Sequence, residues 1–145
     1  RGYASVALTM GNAAFSNVTF DEENFDEWGM HDTAANTARL YPAIPGYQHI
    51  YGQITWDVPT TAAGRRVITI YQVSSADVET AIAQGEINLA NSDQIVTTPL
   101  TLDWPLANTD EYFLVKGFQN SGAALTTVGG NLYTYAGLYF IGSTA

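Results

Sequence analysis

Six carboxylates and no basic residue crowd into residues 21–32, the densest chemistry in the chain. Asp21, Glu23, Asp26 and Glu27 offer the hard oxygen donors that Ca²⁺ takes. The spacing matches no EF-hand loop, so calcium held by Asp21, Glu23 and Asp26 stands beside the plainer reading of a solvated acidic loop. Phe25 and Trp28 interrupt the run, which reads as a surface loop pinned by its aromatics. Paired carboxylates also serve glycoside hydrolysis, yet nothing in the spacing singles out one pair among many. His31 and His49 are the two histidines. No G-x-S-x-G elbow and no H-x-x-x-H spacing accompanies them. There is no cysteine, so thiol catalysis, disulfides and thiolate metal sites are excluded. The residues therefore point away from an enzyme, and they call for no cofactor apart from the calcium just described.

Trp28, Trp56 and Trp104 are candidate platforms for stacking a sugar or another flat ligand. Trp56 alternates with Ile54 and Val58 and belongs to a core. Trp28 and Trp104 stand beside acids and turns, which makes them the candidate ligand-binding residues. Gly129-Gly130-Asn131 is not a phosphate loop, since no Lys-Ser/Thr and no helix follow it. Arg65-Arg66 is too short for a basic patch, and one of the two is expected to pair with an acid near its strand end.

The elements that must position these residues show themselves by period. Residues 47–58 alternate. Ile50, Gly52, Ile54, Trp56 and Val58 form a core face; Tyr47, His49, Tyr51, Gln53, Thr55 and Asp57 form a half-aromatic outer face. Residues 130–142 alternate too. Leu132, Thr134, Ala136, Leu138 and Phe140 read as inward, while Tyr133, Tyr135, Gly137, Tyr139 and Ile141 read as outward. An outer face that carries tyrosines is not solvent-like, and a second copy of the same chain is its natural cover. Tyr47, His49, Tyr51, Tyr133, Tyr135 and Tyr139 are thus the interface candidates.

Further strands are expected over residues 3–10, 17–20, 65–73, 111–119 and 123–128, with a short extended piece at 37–42 and weak strands over 86–105. Residues 74–84 fit either one or two helical turns or an edge strand. Turn residues punctuate the chain at Gly11-Asn12, Ile44-Pro45-Gly46, 59–64, Asn91-Ser92-Asp93 and Asn120-Ser121-Gly122. About eight to ten short strands at spacings of roughly 8–12 residues indicate one all-β sandwich or barrel over residues 1–145.

Composition narrows the partners. Hydrophobic residues make up 46% of the 145 residues and charged residues only 13%, and the net charge is −9 with a pI near 4.2. Five basic residues cannot neutralise a run of phosphates, which excludes nucleic-acid binding and disfavours anionic membrane surfaces. No apolar run approaches the roughly 18 residues a membrane helix needs. The chain begins at Arg1 with neither an initiator Met nor a signal peptide, which fits a fragment, a processed product or a mature subunit.

The order of these pieces resembles one jelly-roll family, the globular head of the first complement component's q subunit and its tumour-necrosis-factor-like relatives. Val18-Thr19-Phe20-Asp21 is similar to an early V-x-F-D strand end. Residues 41–50, Tyr-Pro-Ala-Ile-Pro-Gly-Tyr-Gln-His-Ile, resemble the family's strand entry, and Ile54-Thr55-Trp56 continues it. Residues 111–122 resemble the penultimate strand with its Gln-x-Ser-Gly end, and residues 135–141 the terminal strand. Asn108-Thr109-Asp110 stands where the family has Gly-Asp, and residues 77–103 match little. The resemblance implies a two-sheet jelly-roll sandwich that assembles as a homotrimer, with the terminal strand near the threefold axis. It further implies a non-enzymatic head domain. The acidic, cysteine-free, Asn/Thr/Ser/Gly-rich composition is most similar to bacterial and phage members: fibre tips, head fibres and decorations displayed on a virion or cell surface. Such a head would bind a host-surface glycan or protein receptor. The alternative is a carbohydrate-binding module built on Trp28 or Trp104.

Overall fold

Alternating polar and apolar residues force the chain into strands that bury one face, and the strands collect into two sheets packed around a main core, with a smaller cluster of Val73, Tyr112 and Leu114 beside it. The computed structural model describes residues 1–57, 63–90 and 95–143. Twelve strands follow in order: β1 (Gly2–Tyr3), β2 (Thr9–Met10), β3 (Ala14–Asn17), β4 (Glu22–Glu23), β5 (Arg39–Leu40), β6 (Gly46–Asp57), β7 (Gly64–Val73), β8 (Glu79–Leu89), β9 (Val96–Leu106), β10 (Tyr112–Gln119), β11 (Leu125–Thr127) and β12 (Tyr135–Gly142). Among the described residues every regular element is a strand, and no helix is long and apolar enough to cross a membrane.

One sheet runs β2-β11-β6-β12-β1-β4, with β9 on the other side of β6; the second runs β5-β10-β7-β8. All the strand pairings between named strands are antiparallel. The inner faces close on Met10, Phe20, Ile50, Ile54, Trp56, Ile68, Ile70, Phe113, Val115 and Leu138, all buried. Trp56 is sealed in the core, where its indole N–H donates to Thr98 Oγ1 at 3.1 Å. β6 is the axis of the first sheet. It pairs with β9 along one side from Gly46↔Leu106 to Trp56↔Val96, and along the other with β12 from Gly142↔Tyr47 to Tyr135↔Gln53. β9 carries Pro99 and Pro105, which an edge strand tolerates because the missing N–H falls on its unpaired side.

Several expectations need correction. Residues 3–10 do not form one strand: β1 and β2 flank an irregular stretch, because Ala4 donates its N–H to Thr134 O instead of extending a ladder. The second strand lies at Ala14–Asn17, ahead of the expected 17–20, while Val18 and Phe20 reach the core from beyond it. Residues 74–78 make a turn and β8 follows, so the edge-strand alternative holds and the helical one does not. The weak segments over 86–105 resolve into the end of β8 and the 11-residue β9.

The final strand is shorter than its alternation promises. Residues 131–133 form a turn, in which Tyr133 N–H donates to Gly130 O. Leu132 is therefore not inward but 71% exposed. A register irregularity between Phe140 and Gly142 ends the regular parity of β12, and Phe140 is 40% exposed rather than in the core. Val58, most of the loop 59–64 and the turn Asn91-Ser92-Asp93 lie outside the described residues.

Candidate functional site

The β6–β12 ladder places the aromatic residues of the two outer faces opposite one another. Tyr139 pairs with His49, Gly137 with Tyr51, and Tyr135 with Gln53. His49 and Tyr139 rings lie 4.8 Å apart, Tyr51 and Tyr135 6.3 Å, and Tyr51 and Tyr139 6.5 Å. The Arg1 guanidinium stands 3.9 Å above the Tyr135 ring. Gly137 is required here, since a Cβ at that position would meet the Tyr51 hydroxyl at 2.5 Å. Tyr51 folds into the vacant space, and burial pushes its phenol pKa above the ordinary value.

β9 completes the patch from the other side. His49 Nδ1 lies 2.6 Å from Asp103 Oδ1 and His49 Nε2 lies 3.0 Å from Thr101 Oγ1. Hydroxyl, imidazole and carboxylate thus form one chain of polar contacts across β6 and β9. Thr101 Oγ1 is also 3.2 Å from Ile50 O, so the chain of contacts ties β6 to β9 across the sheet. Tyr47 and Tyr139 are exposed, while Tyr51, Tyr135 and His49 are half-buried. Five of the six interface candidates sit on this sheet, and Tyr133 belongs to the turn leading into β12.

At the end of this face the loop of residues 25–30 stands over Ala43, Ile44, Gln48, Leu138, Tyr139 and Phe140 and encloses a groove of about 380 Å³. Phe25 and Trp28 are both exposed, so aromatics do not pin the acidic loop. Asp26 pins it: its carboxylate accepts N–H bonds from Met30 at 2.9 Å, His31 at 2.8 Å and Trp28 at 3.3 Å. Partial burial works against that carboxylate, yet the three backbone donors outweigh it and hold its pKa below the ordinary value of 3.8. His31, which the sequence left unassigned, is buried edge-on to Phe20 with Nε2 3.1 Å from Thr37 O.

The calcium candidates do not converge. Asp21 is occupied with Ser5, accepting from its N–H at 2.7 Å and its hydroxyl at 2.5 Å. Burial raises the Asp21 pKa, but these bonds carry it below the ordinary value. Glu23 is paired by its backbone to Gly2 in β1, and Asp26 caps its own loop. Among the described residues no group of three or more His, Asp or Glu side chains is placed to hold a metal ion. The two tryptophans also separate. Trp28 is 62% exposed at the groove, whereas Trp104 packs partly against the core and donates its indole N–H to Gln72 Oε1 at 2.9 Å. Arg65 pairs with Glu86, as its position near a strand end suggested.

Sequence reasoning passed over Gln48. The signal was its parity: it shares the core face of β6 with Ile50, Ile54 and Trp56, and a polar residue there must find partners. It is fully buried. Its amide nitrogen donates to Ile44 O at 2.8 Å and Gly46 O at 3.5 Å.

No protein-family model and no curated protein matches this sequence. Solved structures match it in shape. Eiger TNF from S. frugiperda superposes with a TM-score of 0.63 at 14% identity, covering 100% of this chain and 96% of that one. The fold is a tumour-necrosis-factor-like jelly roll. Two crystal structures of murine APRIL agree: at pH 8.5 the TM-score is 0.55 with 10% identity, over 86% of this chain and 94% of that one. At pH 5.0 the values are 0.53, 12%, 86% and 98%. The jelly-roll prediction is thereby met, with β12 beside β6 at the centre of the sheet that carries the aromatic face.

Proposed function

We propose that this tumour-necrosis-factor-like jelly roll is the homotrimeric head of a phage or bacterial surface appendage: a fibre tip, head fibre or decoration displayed on a virion or cell surface. It works by assembly and recognition, without catalysis, and its partners are sister copies and a host-surface glycan or protein receptor. The observation that carries the reading is the outer face of β6 and β12. Tyr47, His49, Tyr51, Tyr135 and Tyr139 stand on the side of a sheet opposite a sealed core, where a monomer would present charge to water. Tyrosine suits such a seam because it adds contact area and keeps a hydroxyl for hydrogen bonding. The charge-poor, cysteine-free composition supports the appendage setting.

Sedimentation velocity at micromolar concentration tests the assembly. The expected species has three times the 15.7 kDa protomer mass; a stable monomer would overturn the trimer. A second reading, a carbohydrate-binding module, is favoured by one observation, the exposed Trp28 indole at the groove. Glycan-array binding that disappears in Trp28→Ala is the outcome it requires.

A further inference from the structure

Gln48, which lines the groove under the 25–30 loop, carries a buried polar atom with no partner among the described residues. Gln48 is 0% exposed and lines the groove, and among the described residues its Oε1 has no hydrogen-bond partner. The amide orientation is not open to reversal. Both contacts of the nitrogen are carbonyl oxygens, Ile44 O and Gly46 O, and turning the amide would set oxygen against oxygen. A buried acceptor of this kind calls for a donor brought by a ligand. The surroundings say what sort of donor. Phe25, Trp28, Tyr139 and Phe140 supply aromatic surface, Asp26 and Glu27 supply negative charge, and among the described residues no basic side chain lines the groove. Aromatic faces beside carboxylates favour a cation with an apolar stem. Among such groups guanidinium alone joins a flat stacking face to several divergent N–H donors, enough to serve an amide oxygen and a carboxylate together.

We propose that this groove is a docking site for an arginine side chain presented by a basic partner protein. The stem lies against the aromatic walls, and the guanidinium donates to Gln48 Oε1 and faces Glu27. A sister copy is a poor source of that side chain, because all five Lys and Arg side chains of this sequence are engaged. Arg1 stacks on Tyr135, Arg39 on Tyr112, Arg65 pairs with Glu86, Lys116 pairs with Glu79, and Arg66 is fully buried. The net charge of −9 likewise favours a basic partner over another copy of this chain. The groove's lining comes from residues 25–30, 43–48 and 138–140 of one protomer.

The test is NMR titration of the ¹⁵N-labelled full chain with acetyl-Ala-Arg-Ala-amide, with the citrulline peptide as an uncharged isostere. Saturable shifts of the Trp28 indole N–H and the Gln48 side-chain NH₂ are expected, with the citrulline peptide weaker by about fivefold, the range of one partly exposed ion pair or cation–π contact. Glu27→Gln should erase the difference between the peptides, and Trp28→Ala should abolish the saturable shift at Gln48. Three results would overturn the proposal: no shift at Gln48 up to about 10 mM peptide, in the weak-binding range; equal binding of citrulline; or equal binding of methyl β-glucoside, which would return the groove to the glycan reading.

Discussion

Tyr139→Asp separates the assembly from the fold of each protomer. The side chain is 50% exposed, and its ring stands 4.8 Å from His49. Within one protomer the substitution loses that ring contact, worth about 1 kcal/mol, and lowers Tm by a few degrees at this chain length. In the proposed trimer the same position is sealed against sister chains. A fully buried tyrosine hides about 200 Å². The half still open in the protomer is then about 100 Å², or about 2.5 kcal/mol per copy at 25 cal/mol/Å². Over three copies this comes to about 7.5 kcal/mol, on the order of 10⁵-fold in the association constant, before the cost of desolvating three carboxylates is added. Sedimentation velocity from about 1 to 100 μM spans the range in which such a change converts trimer to monomer. Circular dichroism and thermal melting report whether the protomer has stayed folded, and Tyr139→Phe, which keeps the ring, should remain trimeric. A Tyr139→Asp protein that sediments as a trimer with an unchanged dissociation constant would refute the reasoning and place the contact surface elsewhere.

Gly137→Val should destabilise the protomer by about 1–3 kcal/mol, because its Cβ would occupy the position of the Tyr51 hydroxyl; urea unfolding measures this, and an unchanged midpoint would contradict it. Asp26→Ala should cost about 1–2 kcal/mol by leaving the Met30, His31 and Trp28 amides without their acceptor, seen as faster hydrogen exchange at those three sites. The same carboxylate and Asp21 have folded pKa values below 3.8, so the unfolded chain binds their protons first. Their contribution is complete above that pH and is lost as the pH falls through the lower folded values. Acid titration of wild type should therefore show a drop in unfolding free energy below about pH 4 that Asp26→Ala shows less of. Trp104→Ala should cost about 3 kcal/mol in stability, since the ring packs on the core and holds Gln72; urea unfolding measures it.

Local sequence by itself determined that β6, β7 and β10 are long strands and which face of β6 is buried. The alternation in β6 placed Ile50, Ile54 and Trp56 inside and Tyr47, His49 and Tyr51 outside, and the structure agrees at these six, while Thr55 of the outer set is buried. That worked because a strand's side chains have a period of two and the hydrophobic effect acts on each position separately. The same rule failed wherever long-range contacts decided the backbone. Leu132 carries an inward parity, but residues 131–133 turn, and Gln53 Nε2 donates to the Leu132 and Tyr133 carbonyls at 3.1 and 3.0 Å. Phe140 loses its parity at the irregularity that ends β12 and becomes part of the groove wall. The acidic stretch looked like one ligand cluster in sequence. The fold sends Asp21 to Ser5, Glu23 to the edge of β1, and Asp26 into its own loop. Only the tertiary structure could reveal the groove, because its walls come from residues 25–30, 43–48 and 138–140, joined by sheet register rather than by proximity along the chain. Gln48 marks the division between the two kinds of information. Its buried position was readable from the period of β6, but the unsatisfied side of its amide was decided by where the chain carried the Ile44 and Gly46 carbonyls.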